Sequence, residues 1–355
     1  MTYFFHVSGI AVLVILIAAA VIFLALFLVA GKLLAVGGKR EPPAKYTVKL
    51  YYDAYQDRYP RKEVTFPSGD HLLHGFIYGE ENTKALLVLA HGAGGFHEDY
   101  LTDITWFVDH GYRVFAADFT GCGYSEGDRS LGLNYSAIEM DVILSYIEQE
   151  PQLSDMRKVL YGHSWSAYGV AASLNYDHDV TAAASIASFA SPAEELAEVG
   201  KMGKKVLGKI LYAIFWLQFF RRNGKYGNLT TVKGINRSNI PVLVVHGTGD
   251  RIIPFDTAAT IAKRDQITNP KTEYLVYDEE GCNDHDSFFH TREANLILND
   301  LLEKRLALVK KFGGQIPEEE ERVLFEGLDR EMLNAPNQEF YEKVDAFFSR
   351  ALAAE

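Results

Sequence analysis

Residues 158–172 constrain the fold of this chain more than any other stretch. The short apolar run Val159-Leu160-Tyr161 ends at Gly162. The small polar group His163-Ser164-Trp165-Ser166 follows at once, and then Ala167-Tyr168-Gly169-Val170-Ala171-Ala172, which reads as the opening of a helix. A strand that turns straight into a helix needs small residues beside the turn, because the two backbones approach closely. The central residue, Ser164, is forced into a rarely populated backbone region. It stands at the carboxyl end of a sheet with the helix N-terminus directed at it. The last place of Gly162-His163-Ser164-Trp165-Ser166 holds Ser where the pattern has Gly, so the stretch gains weight only from partners downstream.

The rest of the sequence supplies a sheet for this turn to stand on. Continuous apolar runs at residues 85–90, 112–117, 159–161, 182–189, 242–245 and 274–277 have the character of strands buried on both faces. Helical patterns at 101–109, 134–149, 167–174 and 256–264 separate them, and residues 62–66 and 72–78 alternate around Pro67-Ser68-Gly69-Asp70 as a hairpin. Strands alternating with helices predict an α/β fold, with a mostly parallel central sheet and helices on both faces. A length of 355 residues suits one large domain with appendages.

Residues 10–30 are uncharged and almost wholly apolar. At roughly 1.5 Å per residue they reach about 30 Å, the thickness of a hydrocarbon core. A cleaved signal peptide is the alternative. No Lys or Arg precedes the run, and it is longer than the usual apolar region of a leader, which favours a retained transmembrane helix. Lys32, Lys39, Arg40, Lys45 and Lys49 all follow it. The positive-inside rule therefore predicts a single-pass cell-membrane protein with the bulk of the chain on the cytoplasmic side. A net charge of −12 argues against a nucleic-acid binder. The two cysteines, Cys122 and Cys282, make no disulfide framework and read as inert thiols.

Four more stretches fall at strand ends. His91-Gly92-Ala93-Gly94-Gly95 follows the run at 85–90, and its glycines let backbone N–H groups approach an anion. A loop from Asp118 to Gly127 follows the next strand. His246-Gly247-Thr248-Gly249-Asp250 presents Asp250 after the run at 242–245. Gly281-Cys282-Asn283-Asp284-His285-Asp286 presents His285 after the last strand. His290 competes with His285 but lies farther on, at a helix start, so His285 is favoured. His91 and His163 read as structural groups bonded within their turns. Asp284, His285 and Asp286 share one loop, which lacks the spacing of a metal site, and no cofactor is implied.

The chain order Ser164, Asp250, His285 is that of the α/β-hydrolase triad. From about residue 62 to 300 the chain resembles the α/β-hydrolase fold, and within it the serine aminopeptidase and monoacylglycerol lipase group. The resemblance rests on His91-Gly92-Ala93-Gly94, Gly121-Cys122-Gly123-Tyr124-Ser125-Glu126-Gly127 and His246-Gly247-Thr248-Gly249-Asp250. It implies Ser164 as nucleophile, His285 as general base and Asp250 as the group that orients it. It also implies an oxyanion hole from the backbone N–H groups of Ala93 and Trp165, and a lid inserted at about residues 191–237.

The implied organisation is an anchor at 1–40, a catalytic domain at 41–315 and an acidic helical appendage at 316–355, opened by Pro317 and Glu318-Glu319-Glu320-Glu321. The implied activity is hydrolysis of a small-molecule or lipid ester. A thioesterase, an aminopeptidase and a non-catalytic membrane-tethered scaffold are the alternatives. Lys201, Lys204, Lys205, Lys209, Arg221, Arg222 and Lys225 surround the aromatic run at 211–220, with no acidic residue among them. That pattern suits a core helix or an interfacial segment meeting anionic lipid.

Overall fold

The computed structural model describes residues 2–33, 38–39, 44–130, 132–200 and 205–354. Arg40, Lys201 and Lys204 of the basic segments lie outside them.

The main sheet has eight strands: β1 (Arg61–Ser68), β2 (His71–Tyr78), β3 (Leu86–Ala90), β4 (Arg113–Ala117), β5 (Lys158–His163), β6 (Ala182–Ile186), β7 (Val242–Gly247) and β8 (Thr272–Tyr277). Their spatial order is β8-β7-β6-β5-β3-β4-β2-β1. β3 to β8 run parallel, and the β1–β2 hairpin joins antiparallel at the β4 edge. Gly69, at φ 60°, makes the hairpin turn between Ser68 and His71. Neighbouring strands β3 and β5 leave the sheet in opposite directions along the order. Their carboxyl ends therefore flank a crevice, the place where open α/β sheets bind ligands.

Alternation along each strand sorts the core into two layers. Leu86, Val88 and Ala90 face one way, and Leu87 and Leu89 the other. The first layer packs on α3 (Tyr135–Gln149) and α4 (Trp165–Ser173) through Met140, Ile143, Tyr168 and Val170. The second packs on α2 (Leu101–Asp109) through Leu101, Ile104 and Phe107. It is completed by the last helix, Gln338–Ala353, through Phe340, Tyr341, Val344 and Phe348. The C-terminal region is thus several helices rather than one, broken after Glu318–Phe325 near Gly327 at φ 75°. Its final helix is part of the core.

Two sequence expectations need correction. The apolar run at 182–189 is a strand only to Ile186, because Ala187 takes φ 53°. The pattern at 256–264 is not an α-helix. It is a turn leading into a short 3-10 helix, Thr260–Gln266. Thr260 N–H is drawn to the Ser188 carbonyl at 2.8 Å, and Ala259 pairs with Phe189, so tertiary hydrogen bonds override local helix preference.

An apolar helix, α1 (Thr2–Leu33), leads the chain, and its segment Val12–Gly31 is long and apolar enough to cross a membrane. The insertion between β6 and β7 carries two helices, Pro192–Gly200 and Lys205–Asn223, followed by Thr231–Ser238.

Candidate active site

Ser164 occupies the turn between β5 and α4 at φ 59°, ψ −117°. A non-glycine residue there stores strain, and the surroundings must hold it. The tight turn requires Gly162: a Cβ at that position would lie 2.6 Å from the Ser166 carbonyl. Ser166 is the departure from the usual pentad, and the structure gives it a task. Its hydroxyl accepts from His163 N–H at 3.0 Å and reaches the carbonyl of Ala90, so the turn is tied to the end of β3.

The loops after β7 and β8 bring the other candidates to Ser164. His285 Nε2 lies 2.8 Å from Ser164 Oγ, and His285 Nδ1 lies 2.8 Å from Asp250 Oδ2. Asp250 serves both readings of its position, since its Oδ1 accepts from the backbone N–H groups of Ile252 and Ile253 at 2.9 and 2.8 Å. His290 is elsewhere, half-buried in a bridge to Pro336. The acid and base loops are locked together. Gly249 N–H donates to the Asn283 carbonyl at 3.0 Å, and Arg251 Nε donates to Asp284 Oδ2 at 2.6 Å.

Electrostatics follow from burial and partners. Burial of the Asp250 carboxyl opposes its charge, but hydrogen bonds from His246 and His285 outweigh that and hold it well below the usual carboxylate range. Burial alone would depress His285; the hydrogen bond and charge of Asp250, with Asp286 and Asp284, reverse the sign and raise it. An anionic Asp250 thus favours His285 Nδ1–H and leaves Nε2 to accept the Ser164 hydroxyl proton, the arrangement of an activated hydroxyl nucleophile.

Trp165 is the first residue of α4, so its backbone N–H has no acceptor within the helix. Ala93 lies in an exposed turn after β3. These are the two positions that the sequence resemblance assigns to an oxyanion hole.

Two residues join the site without having been singled out in the sequence. His246 Nε2 lies 3.2 Å from Asp250 Oδ2 and 2.9 Å from the Ile253 carbonyl. Its place in the His246-Gly247-Thr248-Gly249-Asp250 segment was the available signal. Tyr100 left none, because it arrives from the start of α2. Gly92 N–H donates to the Tyr100 hydroxyl at 2.8 Å, and that hydroxyl lies 2.9 Å from His163 Nδ1. His163 Nε2 lies 3.1 Å from the His285 carbonyl. A carbonyl only accepts, so the ring proton sits on Nε2 and Nδ1 accepts from Tyr100. Burial and the neighbouring His285 push His163 down to about 4, which keeps it neutral. One directional chain therefore joins the Gly92-Ala93 loop, the Ser164 turn and the His285 loop. Gly92 is required there, since a Cβ would come within 2.9 Å of the Tyr100 oxygen. His91 plays a similar part, accepting from Phe119 N–H at 3.0 Å.

His163, His285 and Asp286 place possible ligand atoms within 4.8 Å of one another. Both rings spend their nitrogens on the bonds just described, which is unsuited to a metal. Cys122 and Cys282 are both buried free thiols, and burial raises Cys122 to about 12, the behaviour of an inert group.

Residues 81–229 match the family model described as serine aminopeptidase, S33. Among curated proteins, the polyketide transferase af380 of Aspergillus fumigatus is 28% identical over 135 residues, covering 37% of this chain. The chain spans less than half, 46%, of that relative's length. The uncharacterized protein YfhR of Salmonella typhi is 26% identical over 245 residues, 66% of this chain and 78% of its own. Among solved structures, an esterase of Pyrococcus furiosus, Pf2001, superposes with a TM-score of 0.52 at 15% identity, covering 78% of this chain and 100% of its own. At that identity the likeness is one of fold.

Proposed function

We propose that this chain, which has the α/β-hydrolase fold and carries a serine aminopeptidase-like stretch, is a membrane-anchored serine hydrolase cleaving carboxylic esters of lipids or other lipophilic acyl groups. The observation that carries the reading is the unbroken hydrogen-bonded line from Asp250 through His285 to Ser164 at the carboxyl ends of the strands.

Ser164 Oγ attacks the ester carbonyl carbon while its proton passes to His285 Nε2. Asp250 stabilises the resulting imidazolium. The backbone N–H groups of Ala93 and Trp165 bind the carbonyl oxygen as it becomes an anion. His285 then returns the proton to the departing alcohol, leaving Ser164 acylated. Water, deprotonated by the same ring, attacks the acyl-enzyme and releases the acid with the serine restored. His246 and Tyr100 are positioning residues: one supports the carboxylate, and the other holds the oxyanion loop against the Ser164 turn.

Residues 1–40 serve as the anchor and 41–315 as the catalytic domain; of residues 316–355, the final helix Gln338–Ala353 completes that domain's core and only the stretch before it is an appendage. The basic residues after the apolar helix support a cytoplasmic position for the catalytic domain under the positive-inside rule. Lipophilicity of the substrate rests on the aromatic, basic insertion between β6 and β7. Its first helix buries Glu195. Burial and the charge of Asp250 raise Glu195 to about 7, and its Oε2 has no hydrogen-bond partner among the described residues.

A fluorophosphonate probe should label Ser164, and Ser164→Ala should abolish the label; a folded wild-type chain that stays unlabelled defeats the proposal. The family match keeps amide cleavage as the second reading. Turnover of matched acyl ester, acyl thioester and aminoacyl amide substrates decides between them.

A further inference from the structure

The insertion and the leading apolar helix meet. The buried side of Lys205–Asn223 is the stripe Ile214, Phe215, Gln218 and Phe219, with Leu211 partly covered. It packs with Ala193 of the preceding lid helix and with Phe27 and Ala30 from the end of the leading helix. Gln218 is 1% exposed inside that apolar stripe. A buried amide needs partners, and the leading helix provides one. Gln218 Nε2 donates to the Phe27 carbonyl, and Arg221 donates to Gln218 Oε1 at 3.4 Å. Arg222 donates to the carbonyl of Gly31, within the last turn of that helix, where carbonyls lack intrahelical donors. A cleaved leader would leave this stripe and its amide uncovered.

The opposite side of the same lid helix is apolar as well. Ile210, Tyr212, Trp216, Leu217 and Phe220 are all exposed, Phe220 by 48%. A helix that is apolar on every side belongs either in a core or in a membrane. Basic residues flank this face, and no Asp or Glu occurs from residue 199 to 249 in a chain of net charge −12. The contact lies at the end of the Val12–Gly31 span, the depth at which a crossing helix leaves the hydrocarbon. Exposed Trp and Tyr with Arg and Lys beside them are the side chains that settle at that depth.

We propose that the leading helix and the lid helix Lys205–Asn223 form one membrane-seated unit, in which the Ile210–Phe220 face lies in the headgroup region of an anionic leaflet. The anchor is then a permanent part of the lid rather than a tether. The lid helix before it, which brings Glu195 near Asp250 and His285, is held at the bilayer surface. Esters reach Ser164 from the leaflet. This last consequence rests on the hydrolase reading; the seating itself does not.

The full chain in nanodiscs of mixed zwitterionic and anionic phospholipid, with acyl chains brominated near the headgroup, tests the seating through tryptophan emission. Trp106 and Trp165 are buried at 5% and 0% exposure, so Trp216 is the reporter. Quenching by brominated lipid is expected in the wild type, lost in Trp216→Phe, and weakened in Leu217→Glu/Phe220→Glu as that face leaves the lipid. Quenching that survives Trp216→Phe, or a Trp216 shielded by a second copy of the chain instead of lipid, overturns the proposal. So does a mature chain whose intact mass shows that it begins after the leading helix. Fluorophosphonate labelling in the same discs is read separately. Lost labelling with quenching intact removes the hydrolase reading and leaves the seating.

Discussion

The rim around Ser164 and the contact between the insertion and the leading helix are held by opposite means. At the rim, polar bonds dominate: Asp250 to His285 to Ser164, Gly92 to Tyr100 to His163, and Arg251 to Asp284. Each is directional, so each fixes an atom's position, which is what proton transfer and oxyanion binding demand. At the lid, an apolar stripe does the holding and Gln218 sets the register. Dispersion and burial tolerate sliding, and the lipid-facing role proposed for this surface gains from that tolerance. Rim substitutions should change rate with little effect on membrane seating, and lid substitutions the reverse.

The largest effect should come from Ser164→Ala, with turnover of a chromogenic ester falling on the order of a million-fold while Trp216 quenching is unchanged. A variant that lost both would break the division between the regions. Asp250→Asn should cost about ten-thousand-fold in kcat, since the ring loses its orienting anion. Its pH profile sharpens the reading. Asp250 raises His285 above its ordinary 6.5, so wild-type activity falls as pH drops through a value above that; without the carboxylate the acid limb should move to lower pH. His163, held near 4, does not titrate within that limb.

Tyr100→Phe removes one hydroxyl and leaves Gly92 N–H and His163 Nδ1 unpaired. The expected loss is about ten-fold in kcat with KM unchanged, as fits a loop that matters in the transition state. A rise in KM alone would make Tyr100 a substrate-binding group instead. The smallest effect should lie in stability. Burial raises Asp103 to about 7 against its ordinary 3.8, beside Tyr161 at 2.5 Å. The fold therefore favours the neutral acid. Stability from this group is fullest below about pH 4 and declines as pH rises towards 7, because the unfolded chain has already released its proton. Asp103→Asn should flatten that decline in thermal unfolding across pH 5 to 8. Glu139, also raised to about 7 by burial, will keep some of the slope.

Much of the fold was legible because its signals are local. The six apolar runs marked the parallel strands, and the motifs carrying Ser164, Asp250 and His285 lie in the loops that follow three of them. The failures were equally physical. Residues 256–264 carry a helical pattern, yet the Ser188 carbonyl claims Thr260 N–H, and no local rule contains that partner. Ser166 departs from the pentad in sequence, yet its hydroxyl ties the turn to Ala90, a partner 76 residues away. Tyr100 gave no sign, since a tyrosine at a helix start is unremarkable until it lies between Gly92 and His163.

Sequence alone determined what depends on neighbours along the chain: strand and helix periodicity, the glycine turns, the apolar span and the order of Ser164, Asp250 and His285. Tertiary structure alone decided what depends on contacts across it. It brought His285 within 2.8 Å of Ser164 over 121 residues of separation, seated Gln218 on the leading helix and put Phe340 and Tyr341 into the core. The reason is geometric. Periodicity is written residue by residue, whereas a hydrogen bond between distant groups exists only once the sheet has fixed both ends.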